Sequence, residues 1–99
     1  MPFMGKIYKI TSSKTDNVYI GSTIQTLNDR FLKHKSNYKL YQNKKYANVS
    51  SNEILKHGDA KIELIEEKEF KNKYDMFLCE GEHIKSNKKC VNQIYPVIP

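Results

Sequence analysis

The chain has 99 residues, 38% of them hydrophobic and 28% charged, with a formal net charge of +6; that length suits one modest core over 1–99 rather than two domains. No run of about 18 apolar residues is present, which excludes a spanning helix, and the start Met1-Pro2-Phe3-Met4-Gly5-Lys6 lacks the apolar segment of a secretory signal. Charge is unevenly spread, with ten Lys/Arg against three Asp/Glu in residues 1–57 and seven against eight in 58–99, so the first half suits a phosphate-bearing partner and the expectation is a soluble intracellular protein (cytoplasm or nucleus) with no membrane partner.

Lys6-Ile7-Tyr8 and Val18-Tyr19-Ile20-Gly21 are short β-branched and aromatic runs around the turn-rich connector Thr11 to Asn17, the pattern of a hairpin. Alternation puts Lys6, Tyr8 and Ile10 on one face and pairs Tyr19 with Gly21, so both phenols can share a surface beside a residue that has no side chain to block a ligand. Two tyrosines filling a sheet core is the plainer alternative. Leu27, Arg30, Phe31 and His34 then recur at helical spacing, with Asp29 in the early turns. Arg30 and His34 fall on adjacent turns of one face, while Lys33, Lys35 and Lys39 make the others basic. A guanidinium binds phosphate through a bidentate fork, and an imidazole titrates near neutrality, so the pair suits phosphate chemistry; an ordinary polar helix edge has the same spacing. Tyr38 to Asn48 reads as a loop or a helix extension, and its basic segment Lys39 to Tyr46, with Lys44 and Lys45, is a candidate for contact with nucleic acid.

Ser50-Ser51-Asn52-Glu53 has the form of a capping box opening a short helix that His57-Gly58 stops. Ala60 to Glu67 suits a third strand, and Asn72 to Ser86 a second long helix. On that helix Glu80 lies in the apolar stripe of Met76, Phe77 and Ile84. A carboxylate there must be paired, protonated, bound to a cation or led out to water at the stripe's edge. Cys79 and Cys90 have no zinc-type spacing and suit a reduced pair; His57 reads as a helix-end charge and His83 as a surface neighbour of Glu80. The tail from Cys90 is apolar enough to dock, but its prolines keep it from regular structure.

Taken together, Lys6-Ile7-Tyr8, Tyr19-Ile20-Gly21-Ser22-Thr23, Leu27, Arg30, His34, Glu80 with Ile84 four residues on, and Asn92 resemble the GIY-YIG endonuclease domain in order and spacing, from about Gly5 to Asn92. Lys6 stands where that motif has its first glycine. The resemblance implies an α+β fold, a small three-stranded antiparallel sheet flanked by helices in the order β-β-α-α-β-α. It also implies a divalent-metal-dependent endonuclease that hydrolyses DNA, leaving 5′-phosphate and 3′-hydroxyl ends. By position, Glu80 would hold Mg2+ or Mn2+, Arg30 would bind the scissile phosphate, and Tyr8, Tyr19 and His34 would position or deprotonate the attacking water. Either phenol could be the base. Gly21 and Asn92 would support the site, and Lys6, Lys33, Lys35, Lys39, Lys44 and Lys45 would contact DNA, with RNA as an alternative substrate. Appended domains often set specificity in such enzymes, so loops, a homodimer or an accessory partner would do so here. A nucleic-acid-binding module without turnover, on the same fold, is the alternative reading, and a plain interaction domain is a third.

Overall fold

The computed structural model describes residues 2–44 and 51–91. Two strands, β1 (Phe3–Ser12) and β2 (Thr15–Thr23), lead into a helix α1 (Leu27–Gln42). A one-turn helix α2 (Asn52–Leu55), a strand β3 (Lys61–Phe70) and a helix α3 (Lys73–Ser86) follow. The sheet is three-stranded and antiparallel in the order β2-β1-β3, so the fold is the expected α+β arrangement.

The strands outrun their sequence signals. The hairpin turns at Ser13 and Lys14, not across the whole of Thr11 to Asn17, because Ser12 already pairs with Thr15. Asp59 secures that turn: its carboxylate accepts from both serine hydroxyls and from the Ser13 backbone N–H. The third strand continues past Glu67 to Phe70, whose ring is buried opposite Phe3. Of the stretch from Tyr38, residues as far as Gln42 extend α1, and 45–48 lie outside the described residues. Thr26 caps α1 by accepting from the Asp29 N–H, and Asn72 caps α3 through Asp75 in the same way.

Alternation along β1 gives the sheet two covered faces. Ile7 joins Ile20, Phe70, Met76, Cys79 and Ile84 under α3. Its neighbour Tyr8 points the other way, into a cluster with Ile10 and Ile54 that Leu27 and Phe31 of α1 cover. One bulge breaks this regularity. Ile7 pairs with Glu66 but Tyr8 with Leu64, which leaves Ile65 as an extra residue in β3. Ile65 packs against the α3-side core and Glu66 bonds to α3 side chains, so two successive residues face one helix. Beyond α3 the chain returns along β2: Val18 donates to the Lys89 carbonyl at 2.9 Å and accepts from the Val91 N–H at 2.8 Å. This partly covers an edge that would otherwise present unpaired backbone groups. Cys79 and Cys90 are both reduced. Among the described residues, no helix is long and apolar enough to cross a membrane.

Candidate active site

Tyr8 and Gly21 are cross-strand partners, and Ile10 pairs with Tyr19. The two phenols therefore share a sheet face, with ring centroids 6.4 Å apart. The room above Gly21 goes to protein, not to a ligand. A Cβ on Gly21 would lie 2.5 Å from the Tyr8 hydroxyl oxygen, 2.6 Å from its Cζ and 3.1 Å from Cε2 of Tyr19. The Tyr8 phenol lies across the bare backbone of its partner strand, and only glycine permits that approach.

Helix α1 delivers Arg30 and His34 onto this phenol from adjacent turns. Arg30 Nε donates to the Tyr8 hydroxyl at 3.2 Å, and that hydroxyl is 2.8 Å from His34 Nε2. Because a guanidinium only donates, the Tyr8 oxygen accepts from Arg30 and its own proton is left for His34. Nε2 is then the bare nitrogen, and Nδ1–H donates to the Ser51 hydroxyl at 3.2 Å. The result is one directed chain, Arg30 to Tyr8 to His34 to Ser51. Tyr8, His34 and Ser51 are each no more than 5% exposed. Tyr19 closes the side, its ring edge-on to His34 at 5.3 Å.

Burial tunes this chain. It pushes the pKa of Tyr8 up, against the opposing pull of the Arg30 charge and hydrogen bond. Burial also raises that of Tyr19, so neither phenol is ionised at neutral pH. His34 is lowered to about 4, mainly by burial and secondly by Arg30, and is a neutral acceptor at physiological pH.

Glu80 approaches from α3, on the other side of β2. It is 6% exposed, and Ser22, which alternates onto that side, donates its hydroxyl to Oε1. Burial raises Glu80 to about 6, opposed by the Ser22 bond and by the charge of Arg30. Its own charge in turn raises both phenols, so Glu80 and the tyrosines sense one another across the edge of the sheet. An open cleft beside Arg30 is walled by Ser22, Thr23, Gln25, Lys73 and Phe77.

His34 and Glu80 bend stability with pH in opposite senses. A lowered histidine holds the folded state together above about 6.5 and loses that contribution as pH falls toward about 4. A raised carboxylate adds stability below its ordinary value of 4.5 and loses it as pH rises through about 6. The histidine contributes about 3 kcal/mol and the carboxylate about 2. Urea titrations at pH 7 and 4.5 should therefore find His34→Asn less acid-sensitive than the parent by about 2–3 kcal/mol, and Glu80→Gln more acid-sensitive. Equal pH dependence in all three proteins would contradict the assigned burial.

Of the other residues singled out in the sequence, Lys33, Lys35, Lys39 and Lys44 are exposed on α1 or just beyond it. Lys35 lies over the Phe31 ring at 4.5 Å. Lys6 is 3.6 Å from Glu67 of β3, an ion pair that any phosphate would have to displace. Lys45 and Asn92 lie outside the described residues. His83 bonds to Glu66, not to Glu80. At the short helix Ser51 is the N-cap residue and makes no side-chain cap bond, its hydroxyl accepting from His34 instead, and Ser50 of the expected box lies outside the described residues. Sequence reasoning gave no role to Ser22, Ser51 or Lys73. Alternation beside Gly21 carried a signal for Ser22, whereas nothing local marked Ser51.

A family model for the GIY-YIG catalytic domain matches residues 4–94. The chain belongs to the GIY-YIG family. GIY-YIG domains are nuclease domains, and this one occupies nearly the whole chain. No curated protein and no solved structure matched significantly. In this GIY-YIG chain the two tripeptides are thus the facing strands that bring Tyr8, Tyr19 and Gly21 together, and α1 adds Arg30 and His34.

Proposed function

We propose that this GIY-YIG domain is a divalent-metal-dependent endonuclease that hydrolyses DNA phosphodiester bonds, leaving 5′-phosphate and 3′-hydroxyl ends. The observation that carries this reading is the Arg30–Tyr8–His34 chain, which joins a partly exposed phosphate-binding cation to a buried neutral proton acceptor through one phenol. Glu80 suits a hard cation: it is a buried carboxylate whose raised pKa reflects the cost of an ion in that setting. Mg2+ or Mn2+ held there would supply charge stabilisation at the phosphate and the leaving 3′-oxygen.

The rest falls to the chain's own side chains. Arg30 holds Tyr8 through Nε and keeps its terminal nitrogens for the scissile phosphate. Tyr8 is fully buried and Arg30 itself lines the open cleft, so the attacking water has to reach the Tyr8 oxygen from the Arg30 side. As the attacking water gives its proton to the Tyr8 oxygen, the phenol's proton passes to His34 Nε2. His34 becomes the imidazolium, Ser51 holds its Nδ1–H throughout, and the leaving 3′-oxygen takes its proton from solvent. This route avoids a Tyr8 phenolate, which burial disfavours, and places the charge instead on His34, whose imidazolium burial and Arg30 also disfavour. Tyr8 is therefore the relay, and Tyr19 lines the site. Lys73 at the cleft mouth and the exposed lysines of α1 take flanking phosphates.

Product ends test the reaction type. Nicks made in the presence of Mg2+ should be sealed by DNA ligase without prior treatment, because ligase requires a 5′-phosphate beside a 3′-hydroxyl. Nicks that ligate only after 3′-phosphate removal and 5′-phosphorylation would overturn the proposed direction of bond cleavage.

A further inference from the structure

A second group of metal-ligating side chains includes Cys79, one residue before Glu80, and uses none of the residues assigned to the proposed reaction. Cys79 and His83 are four apart on α3, so they stand on adjacent turns of one face. Glu66 meets them from β3, turned toward the helix by the bulge at Ile65. His83 Nε2 is 2.6 Å from Glu66 Oε2, and the Cys79 thiol donates to the same oxygen at 3.4 Å. The three potential ligand atoms all lie within 4.8 Å of one another. Lys68 stands 3.5 Å from Oε1, the other carboxylate oxygen, and leaves Oε2 to the group.

We infer that Glu66, Cys79 and His83 form a binding site for a zinc-type ion, distinct from the carboxylate site of Glu80. Thiolate, imidazole nitrogen and one carboxylate oxygen are the donors that borderline-soft ions prefer, whereas Mg2+ favours oxygen alone. An i, i+4 pair on one helix with a third ligand from a strand suits tetrahedral coordination. Three protein ligands leave the fourth position to water, and the partial exposure of Glu66 and His83 gives it access to solvent. A catalytic cysteine is a poorer fit to this order, since Glu66 stands between thiol and imidazole and no Cys79–His83 bond exists to draw the thiol proton away.

Uptake releases the Cys79 thiol proton to solvent and leaves a thiolate. His83 must present a bare Nε2 with its proton on Nδ1, and the Glu66–His83 hydrogen bond gives way to two bonds to the ion. The ion then clamps α3 to the bulged strand at the residue before Glu80, fixing the turn that carries the proposed Mg2+ ligand.

The test uses the full chain, stripped with a chelator and titrated with Co2+ as a spectroscopic stand-in. One equivalent should produce tetrahedral cobalt absorption with a thiolate charge-transfer band, and Zn2+ should displace it. His83→Gln, at a partly exposed position that keeps the fold, should weaken Zn2+ binding by at least about 100-fold, and Cys79→Ser should remove the charge-transfer band. Cys90→Ser should bind as the parent does. No charge-transfer band in the parent, or one that survives Cys79→Ser and vanishes in Cys90→Ser, overturns the site. Nuclease activity is no part of the readout, so the assignment stands or falls independently of the proposed reaction.

Discussion

Tyr8→Phe is expected to slow single-turnover strand cleavage by about 10²–10⁴-fold, the usual range for removing a positioned proton-transfer group. The substitution keeps the ring that fills the space over Gly21 and removes only the oxygen that joins Arg30 to His34. It should also cost about 1–3 kcal/mol of stability, since a buried His34 nitrogen loses its partner. The informative feature is asymmetry between the phenols. Tyr19→Phe leaves the Arg30–Tyr8–His34 chain whole and should cost far less activity. Equal losses in the two variants would place the proton route elsewhere.

Gly21→Ala is expected to be nearly as damaging although it removes no functional group. The added methyl would sit 2.5 Å from the Tyr8 hydroxyl oxygen and 2.6 Å from Cζ, closer than such atoms approach. Tyr8 has no exposed surface and is held at its tip by two partners, so the ring cannot swing aside freely. Either the phenol moves or β1 and β2 separate. Overpacking of this kind costs about 1–3 kcal/mol, and a displacement near 1 Å at a catalytic group costs about 10²-fold in rate. A thermal melt beside a single-turnover assay separates the two effects. Wild-type cleavage by Gly21→Ala would mean that the position of Tyr8 does not govern the rate.

These two substitutions also show where the sequence was legible. Period-two alternation was enough to put Tyr8, Tyr19 and Gly21 on one face, and helical spacing enough to put Arg30 and His34 on one face of α1. Glu80 stood out because a carboxylate among Met76, Phe77 and Ile84 has to be buried or led away, and it is buried. What escaped depends on distance and on defects. Ser51 meets His34 across 17 residues of sequence, and no local pattern encodes that meeting. The bulge at Ile65 turns Glu66 to the α3 side, against strict alternation, and gives His83 a partner that its spacing from Glu80 did not suggest. The glycine of the second motif was correctly placed, but its bare surface serves Tyr8 rather than substrate. The C-terminal end of β3 was missed for a simpler reason: alternating Glu and Lys on a half-exposed edge strand resemble a solvated loop until Phe70 closes the core.

The chain's distribution of charge acquires a local meaning in this setting. The lysines of α1 stand on the helix that also carries Arg30 and His34. A polyanion drawn to the basic side therefore arrives where the phosphate-binding arginine already stands.

Nicking of supercoiled plasmid by the purified chain, with Mg2+, with Mn2+ and with EDTA, beside Glu80→Gln, tests the central claim most directly. The account predicts cleavage with either metal ion, none in EDTA, and a loss of about 10³-fold or more in a Glu80→Gln protein that remains folded. Cleavage that persists undiminished in EDTA or in folded Glu80→Gln would contradict it, as would salt-sensitive DNA binding by the parent with no cleavage under any of these conditions.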